Sequence, residues 1–486
     1  MSDVARVAKN TMFLMSAQVI SLVMGIVYIK LSTTYLGTSG FGELSFAMSF
    51  TQIFASVMDL GIGWILARDV SRDKSLLKKY LDNMLSIRLA MTIVVLASII
   101  ILINLRDQPQ QTVYIVYVVA LATVFSSITS LFYGVFQSFE RMEYQAISMV
   151  LTYLVLIAGA VISKYMGFDV LAFSIIYCLA YLIVLIYCTA VCVSKFALPY
   201  LCFDFSFWKV SLKESLPFGI SGILYTFYYS IGPVFLYYMK GETEVGIFSV
   251  GFKLFLTVLV VPTMFGQALF PVMSRYFVSS SDVLKKAFEK YLKYLAYLAI
   301  PMVVGTTLLA DKIVYIFSSG QFTDSIIVLQ ISIWAAAFIF ISNPYMYLII
   351  SSNAQKTLLK ISMVCAFICL ITNLVLMPGY GYIGASIAIV ITEFCSLVMY
   401  AVVAWRIGYR VSKKTCFDLA KSVVASLVMG GYLILFTNYN ILFQVATAVP
   451  LYFAILYLFR GLDKEDIDII KSFINREKIK SIVKIE

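Results

Sequence analysis

The chain has 486 residues, of which 61% are hydrophobic and 13% charged, with a mean hydropathy of +0.93 and a formal net charge of +11. Apolar runs of about 20 residues recur from end to end with no large polar block between them, which excludes a soluble enzyme carrying a single anchor. What remains is an all-α integral membrane protein with about fourteen spanning helices.

The opening "MSDVARVAKN" is short, polar and basic. The apolar run over 11–36 is too long for a signal-peptide core and lacks a small-x-small cleavage site, so it reads as the first span. Further spans are expected over 42–66, 85–104, 112–137, 146–163 and 170–194, making a first lobe within residues 1–200. A second lobe, residues 201–410, holds spans at 217–239, 246–274, 292–310, 325–350, 358–377 and 382–404. An appended pair, 419–437 and 441–459, lies within residues 411–460. Residues 461–486 read as a cytoplasmic basic tail, with Ile467, Ile470 and Ile474 forming a helical stripe among lysines. Between spans, "LLKKYLDNM" and "SSSDVLKKAFEKYLKYL" are basic amphipathic stretches expected to lie on the inner membrane surface, the second capped by Ser281 or Asp282. Pro233, Pro262, Pro301 and Pro344 fall in spans seven to ten, and Asn343-Pro344 is the expected break.

Basic residues sort the loops into two sides. "ARDVSRDKSLLKKY", "RYFVSSSDVLKKAFEKYLK" and "WRIGYRVSKKTCFD" are rich in Lys and Arg, whereas "YLGTSGFG", "MPGYGYIG" and "TNYN" have none. The basic side is expected to be the cytoplasm, with both termini inside a cell (plasma or inner) membrane. The positive charge then anchors the chain beside anionic membrane lipids, and no nucleic-acid role is expected. Cys178, Cys188, Cys192, Cys365, Cys369 and Cys395 fall in apolar spans, and Cys202 and Cys416 on the cytoplasmic side, so no disulfide framework is expected. Cys188 and Cys192 are four apart, but the chain has no histidine to complete a common zinc site, and neither a metal nor a cofactor is expected.

The chain repeats itself. "LLKKYLDNML" at Leu76–Leu85 resembles "VLKKAFEKYL" at Val283–Leu292, with Asp82 matching Glu289 in charge. "FGELSFA" at Phe41–Ala47 resembles "VGIFSVG" at Val245–Gly251, with Gly42 matching Gly246. An offset of six helices keeps the same orientation, so the lobes are parallel repeats about an axis along the membrane normal, the arrangement of transporters with a central site.

Few ionisable residues remain inside the spans. Lys253 sits about 12 Å along its helix from the outer side at 1.5 Å per residue, where an ammonium costs roughly 2.5–3.5 kcal/mol on insertion scales. A polar cavity accounts for it better than snorkelling does. Lys30, nearer an outer helix end, could snorkel or could join Lys253 at the seam between lobes as a positive spot suited to phosphate. Glu393, mid-span, could take up a proton during transport or hydrogen-bond a neighbouring helix. Asp59 and Arg88 lie near inner helix ends, where they could pair across the cytoplasmic mouth as a gate. Gln18, Gln52 and Gln267 could contact sugar or bond between helices.

"YLGTSGFGELSFAMSF" followed by "DLGIGWILARDVSRDK" resembles the N-terminal signature of polysaccharide-transporter flippases of the multidrug/oligosaccharidyl-lipid/polysaccharide exporter superfamily. "ADKIVYIFSSGQFTDSIIVLQI" and "PGYGYIGASIAIVITEF", which contains Glu393, resemble later segments of that family. The resemblance spans essentially the whole chain. It implies two six-helix lobes about a central cavity and movement of a lipid-linked oligosaccharide from inner to outer leaflet by alternating access. It also implies cavity cations facing the substrate's (pyro)phosphate, at positions where Lys30 and Lys253 fall, and association with glycan-assembly proteins. The competing readings are an ion-coupled multidrug or cation antiporter of the same superfamily, a membrane glycosyltransferase or polymerase, and a non-transporting scaffold. An antiporter for cations wants an acidic cavity, and an enzyme wants a loop carrying acid/base or metal-binding groups, which this chain lacks.

Overall fold

The computed structural model describes residues 3–318, 320–352, 355–463 and 466, so most of the basic tail expected over 461–486, with its stripe of Ile467, Ile470 and Ile474, lies outside the described residues. Among them every regular element is helical. In chain order these are α1 (Asp3–Asp59), α2 (Ile62–Arg72), α3 (Leu77–Asn104), α4 (Gln110–Ser138), α5 (Glu143–Met166), α6 (Val170–Lys195), α7 (Phe205–Lys240) and α8 (Glu242–Val258). They continue with α9 (Val260–Ser279), α10 (Ser281–Leu308), α11 (Ala310–Ser318), α12 (Ser325–Ser351), α13 (Gln355–Arg406), α14 (Lys413–Leu435) and α15 (Ile441–Leu458).

Twelve stretches of the described residues are long and apolar enough to cross a membrane. Two of them, Phe13–Arg72 with 60 residues and Thr357–Arg406 with 50, are far longer than one crossing of about 20 residues requires. Each contains a glycine outside helical geometry: Gly37 (φ 66°, ψ −172°) in α1 and Gly381 (φ 51°, ψ −130°) in α13. A positive φ is easy only for glycine, and here it folds each rod back on itself. Gln18 and Asp59, from opposite limbs of α1, both share cavity walls with the last third of α4, at Tyr133 and Ser130 respectively. Counting two crossings for each folded rod agrees with the fourteen spans expected from hydropathy, and the protein is a multi-pass membrane protein.

Several local expectations are corrected. The second span ends at Asp59, not residue 66, because Leu60 (φ 45°) and Gly61 (φ 74°) are both left-handed. The chain then resumes as α2, whose buried Ile62, Ile65, Leu66 and Val70 follow a helical stripe. "LLKKYLDNM" is not a separate surface helix but the first turns of α3, and "SDVLKKAFEKYLKYL" likewise opens α10. No turn residue separates either from the apolar run that follows. The cap of α10 is Ser280, whose hydroxyl accepts from the Val283 N–H at 3.4 Å. Asn343-Pro344 does not break α12; Asn343 Oδ1 instead accepts a 2.5 Å bond from the Tyr291 hydroxyl. The break falls at Leu259, between α8 and α9, with Pro262 in the first turn of α9, where its missing N–H costs nothing. Pro301 stays inside α10 and frees the carbonyl of Tyr297, which accepts from the Tyr452 hydroxyl of α15 at 3.0 Å.

The internal repeat has structural counterparts. Gly37 and Gly241 stand in equivalent turns, both with positive φ and extended ψ. The matched carboxylates do the same job: Asp82 Oδ1 accepts from the Tyr200 N–H at 2.8 Å and Glu289 Oε1 from the Ser412 N–H at 3.0 Å. Each pins the segment that follows the sixth crossing of its repeat. α4, α5 and α6 pack on α1, whereas α12 packs on α8, α10 and α13; α1 meets α7 and α8 between the two groups.

Candidate transport cavity

The two groups touch most closely where the repeat brings its matched glycines together. A Cβ placed on Gly42 would lie 1.8 Å from the Glu242 carbonyl oxygen, and one on Gly246 would lie 1.9 Å from that of Thr38. Only hydrogen fits there, so α1 and α8 meet backbone to backbone. Ser39 Oγ donates to Glu242 Oε1 at 3.3 Å beside this contact, and the rings of Phe46 and Tyr237 stack at 3.8 Å further along. This closes the end of the bundle opposite the basic loops. Near the basic end a second close approach, Gly219 of α7 against the backbone of Leu60, narrows the gap between the groups.

Between these contacts lie connected chambers. One, of about 540 Å³, is walled by α1, α4, α5, α6 and α8 and carries Gln18, Tyr133, Tyr177, Tyr181 and Lys253. The next, of about 300 Å³, shares Lys253 and adds Ser45, Ser49, Gln52, Ser249 and Tyr229. A third, of about 520 Å³, shares Gln52, Tyr177 and Tyr181 and leads past Asp59 and Trp64 toward the basic face. A fourth, of about 330 Å³, holds Glu393 among Tyr225, Tyr228, Tyr229 and Asn343.

Lys253 stands where the first two chambers meet, seven residues inward of Gly246 on α8. Its Nζ reaches Ser45 Oγ at 3.4 Å and lies 4.3 Å from the centre of the Phe41 ring. It has no carboxylate partner among the described residues. A desolvated cation–π contact returns about 2 kcal/mol or more against an insertion cost of roughly 2.5–3.5 kcal/mol, and the polar chambers that Lys253 lines add to that compensation. Lys30 does not join it. That side chain is exposed and continues the face of Val23 and Val27, which are 54% and 42% exposed; it lines none of the four chambers.

Asp59 and Arg88 form an ion pair. Arg88 is wholly buried and donates to the Ser127 carbonyl and Ser130 Oγ as well as to Asp59, whose side chain is 41% exposed in the third chamber. Glu393 is buried and its Oε1 accepts from the Tyr228 and Tyr229 hydroxyls at 2.6 and 3.1 Å. Gln18 and Gln52 line chambers; the side chain of Gln267 lies outside the described residues. Sequence reasoning passed over the serines and tyrosines of these walls. Their trace in the sequence is Tyr177 with Tyr181 and Tyr225 with Tyr229, each pair four apart on one helical face.

The family described as polysaccharide biosynthesis protein matches residues 7–277. The capsular polysaccharide biosynthesis protein CapF of Staphylococcus aureus is 22% identical over 416 residues, covering 81% of this chain and 98% of the relative. In fold the chain is similar to lipid II flippase MurJ in an inward closed conformation, with a TM-score of 0.76 and 13% identity over 92% of this chain and 98% of that one. It is also similar to an inward-facing multidrug resistance MATE family transporter of the MOP superfamily, with a TM-score of 0.64 and 15% identity over 82% and 98% of the two chains.

Proposed function

Because this chain belongs to the polysaccharide biosynthesis protein family, we propose that it is a flippase carrying a polyprenyl-(pyro)phosphate-linked oligosaccharide from the cytoplasmic to the outer leaflet, for assembly of cell-surface glycan. It works by transport, not catalysis, in the plasma or inner membrane, with the basic face and both termini in the cytoplasm. Residues 1–200 and 201–410 act as the two lobes, with 411–460 appended. The observation that carries this reading is Lys253, an ammonium with no counter-ion among the described residues, held in a polar cavity just inside the closed outer contact.

The substrate enters from the basic side through the chamber of Asp59 and Gln52. Its phosphate meets Lys253 and competes with the Phe41 ring for the ammonium. Phe41 neighbours Gly42, so drawing Lys253 off the ring loosens the α1–α8 contact and favours the outward-open state; the ligand shifts the equilibrium by its differential affinity for the two states. The Asp59–Arg88 pair, held within the first lobe, shapes the inner mouth of the cavity, Gln18 and Gln52 meet sugar hydroxyls, and Glu393 couples a proton to the cycle. Glycan-assembly proteins supply the substrate and receive it.

Reconstituted protein is expected to flip the headgroup of a lipid-linked glycan in proteoliposomes, and Lys253→Ala is expected to lower that rate at least tenfold. Equal rates for the two proteins would refute the phosphate role. The kinship in fold with a multidrug transporter favours one rival, a cation antiporter. Expulsion of a cationic dye by the reconstituted protein, with no glycan flipping, would establish the rival.

A further inference from the structure

Of the two chambers that share Lys253, the larger has walls that indicate which part of a substrate it takes. Tyr133, Tyr177 and Tyr181 face it from α4 and α6, with Thr152 and Tyr153 from α5 and Gln18 from α1. Lys253 is the one charged side chain in its lining. Asp59 and Glu393 belong to other chambers. The wall is therefore neutral, aromatic and rich in hydroxyls, with a cation at one edge.

Hydrogen-bonding capacity here is left open. Many hydroxyls on these helices bond back to a carbonyl three or four residues earlier, as Ser32, Thr51 and Ser130 do. Three buried serines make no hydrogen bond among the described residues and line the connected chambers: Ser21 the tyrosine-walled chamber, Ser249 its neighbour, and Ser127 the one toward the basic face. Leaving a buried hydroxyl unpaired costs about 1–3 kcal/mol, and a protein keeps such groups where a polar ligand or water completes them. The Tyr177 and Tyr181 hydroxyls meet only at 3.4 Å, long enough that a ligand hydroxyl could replace that contact at little cost.

Resting on the flippase reading above, we propose that this chamber is the seat of the first, uncharged sugar ring of the substrate, its phosphate held at Lys253 at the edge. An aromatic face offers apolar contact to the C–H face of a pyranose, while phenols, Thr152 and Gln18 meet its equatorial hydroxyls. The chamber volume of about 540 Å³ lies within the usual range for a small-molecule site. A sugar with an ammonium group is disfavoured there because it would stand beside Lys253.

The test compares binding of two carriers to the full-length protein in nanodiscs: polyprenyl diphosphate alone, and the same lipid bearing one N-acetylhexosamine. The parent is expected to bind the glycosylated lipid more tightly. Tyr177→Phe and Tyr181→Phe keep the rings and remove the hydroxyls. Each is expected to weaken binding of the glycosylated lipid roughly three- to tenfold and to leave the bare diphosphate unchanged. Lys253→Ala is expected to weaken both lipids alike. Ser21→Ala serves as a second probe should a tyrosine variant fail to fold. If the parent binds both lipids equally, or the phenylalanine variants behave as the parent does, the sugar seat is refuted while the flippase reading stands. If the parent binds neither lipid, both readings fall together.

Discussion

At the scale of single residues, anomaly decides what can be found. Lys253 is conspicuous because an ammonium inside an apolar run carries a cost that something must offset. Glu393 is conspicuous for the same reason. The tyrosines beside them are not, because a phenol in a membrane helix is ordinary at any depth near an interface. Nor does the sequence say which way Lys30 points: its distance from the helix end permits cavity or lipid, and only the packing of α1 puts it on the face of Val23 and Val27. If Glu393 carries the coupling proton, Glu393→Gln is expected to flatten the pH dependence of flipping in proteoliposomes under an imposed proton gradient; an unchanged profile would assign the carboxylate to helix packing through Tyr228 and Tyr229. Arg88 and Asp59 differ in exposure, so their substitutions should differ. Arg88→Met removes the wholly buried charge outright, leaves Asp59 open to solvent, and is expected to cost about 1–2 kcal/mol in unfolding free energy through the lost bonds to Ser127 and Ser130. Asp59→Asn leaves that guanidinium buried without its counter-charge and is expected to cost more, about 3 kcal/mol.

At the scale of elements, hydropathy is blind to the difference between a loop and a bent helix. Spans one and two were legible as two crossings, yet they form one rod folded at Gly37, and spans eleven and twelve form another folded at Gly381. The amphipathic stretches before spans three and nine looked like surface helices because periodicity alone does not mark where a helix enters the membrane. Prolines mislead in the same way. Pro301 does not end α10, and Tyr452 supplies a donor to the carbonyl it frees. Tyr452→Phe is therefore expected to lower thermal stability by about 1 kcal/mol, read as a shifted midpoint in detergent. The Gly42–Gly246 contact yields a sharper expectation. Its neighbours are backbone carbonyls, which no rotamer change can move aside. Gly42→Ala and Gly246→Ala should each wedge α1 from α8 and raise labelling of an introduced Ser45→Cys by a membrane-impermeant maleimide added outside, by several-fold. Gly431→Ala, whose Cβ would meet nothing within 4 Å, should leave labelling unchanged.

At the scale of the whole molecule, charge arranges the chain twice, across the bilayer and within the fold. Exposed Cys202 and Cys416 lie on the basic side. With that side in the cytoplasm, an impermeant maleimide should label them in inverted vesicles and not in intact cells. Where the chain leaves α15, buried Lys293 of α10 bonds Asp466 at 2.7 Å, with Asp418 and Asp463 at 3.7 and 3.6 Å, and Lys414 bonds Asp463 at 2.9 Å. This cluster ties the appended helix pair to the second lobe. The Lys414 ammonium holds the Asp463 carboxyl below its ordinary value of 3.8. Burial pushes Asp466 up, but bonds from Lys293, Tyr294 and the Asp463 N–H outweigh it, and Asp466 too ends below 3.8. Carboxylates depressed in the folded state stabilise it above the unfolded value and lose that contribution as pH falls through the folded one. Thermal stability in detergent should therefore be insensitive to these two groups from neutral pH down to about 4 and fall below it, and Asp466→Asn should remove part of that acid dependence. The number of crossings, the sorting of basic from non-basic loops, the doubling of the chain and the presence of a cation inside a span were legible in the sequence by itself, because hydropathy, loop charge and self-similarity are properties of order along the chain. Which residues share a chamber, that Gly42 meets Gly246, and that Lys253 lines the cavity while Lys30 faces away were decided only by the tertiary structure. Those depend on the rotation of each helix about its axis, and that rotation is set by packing between segments some two hundred residues apart.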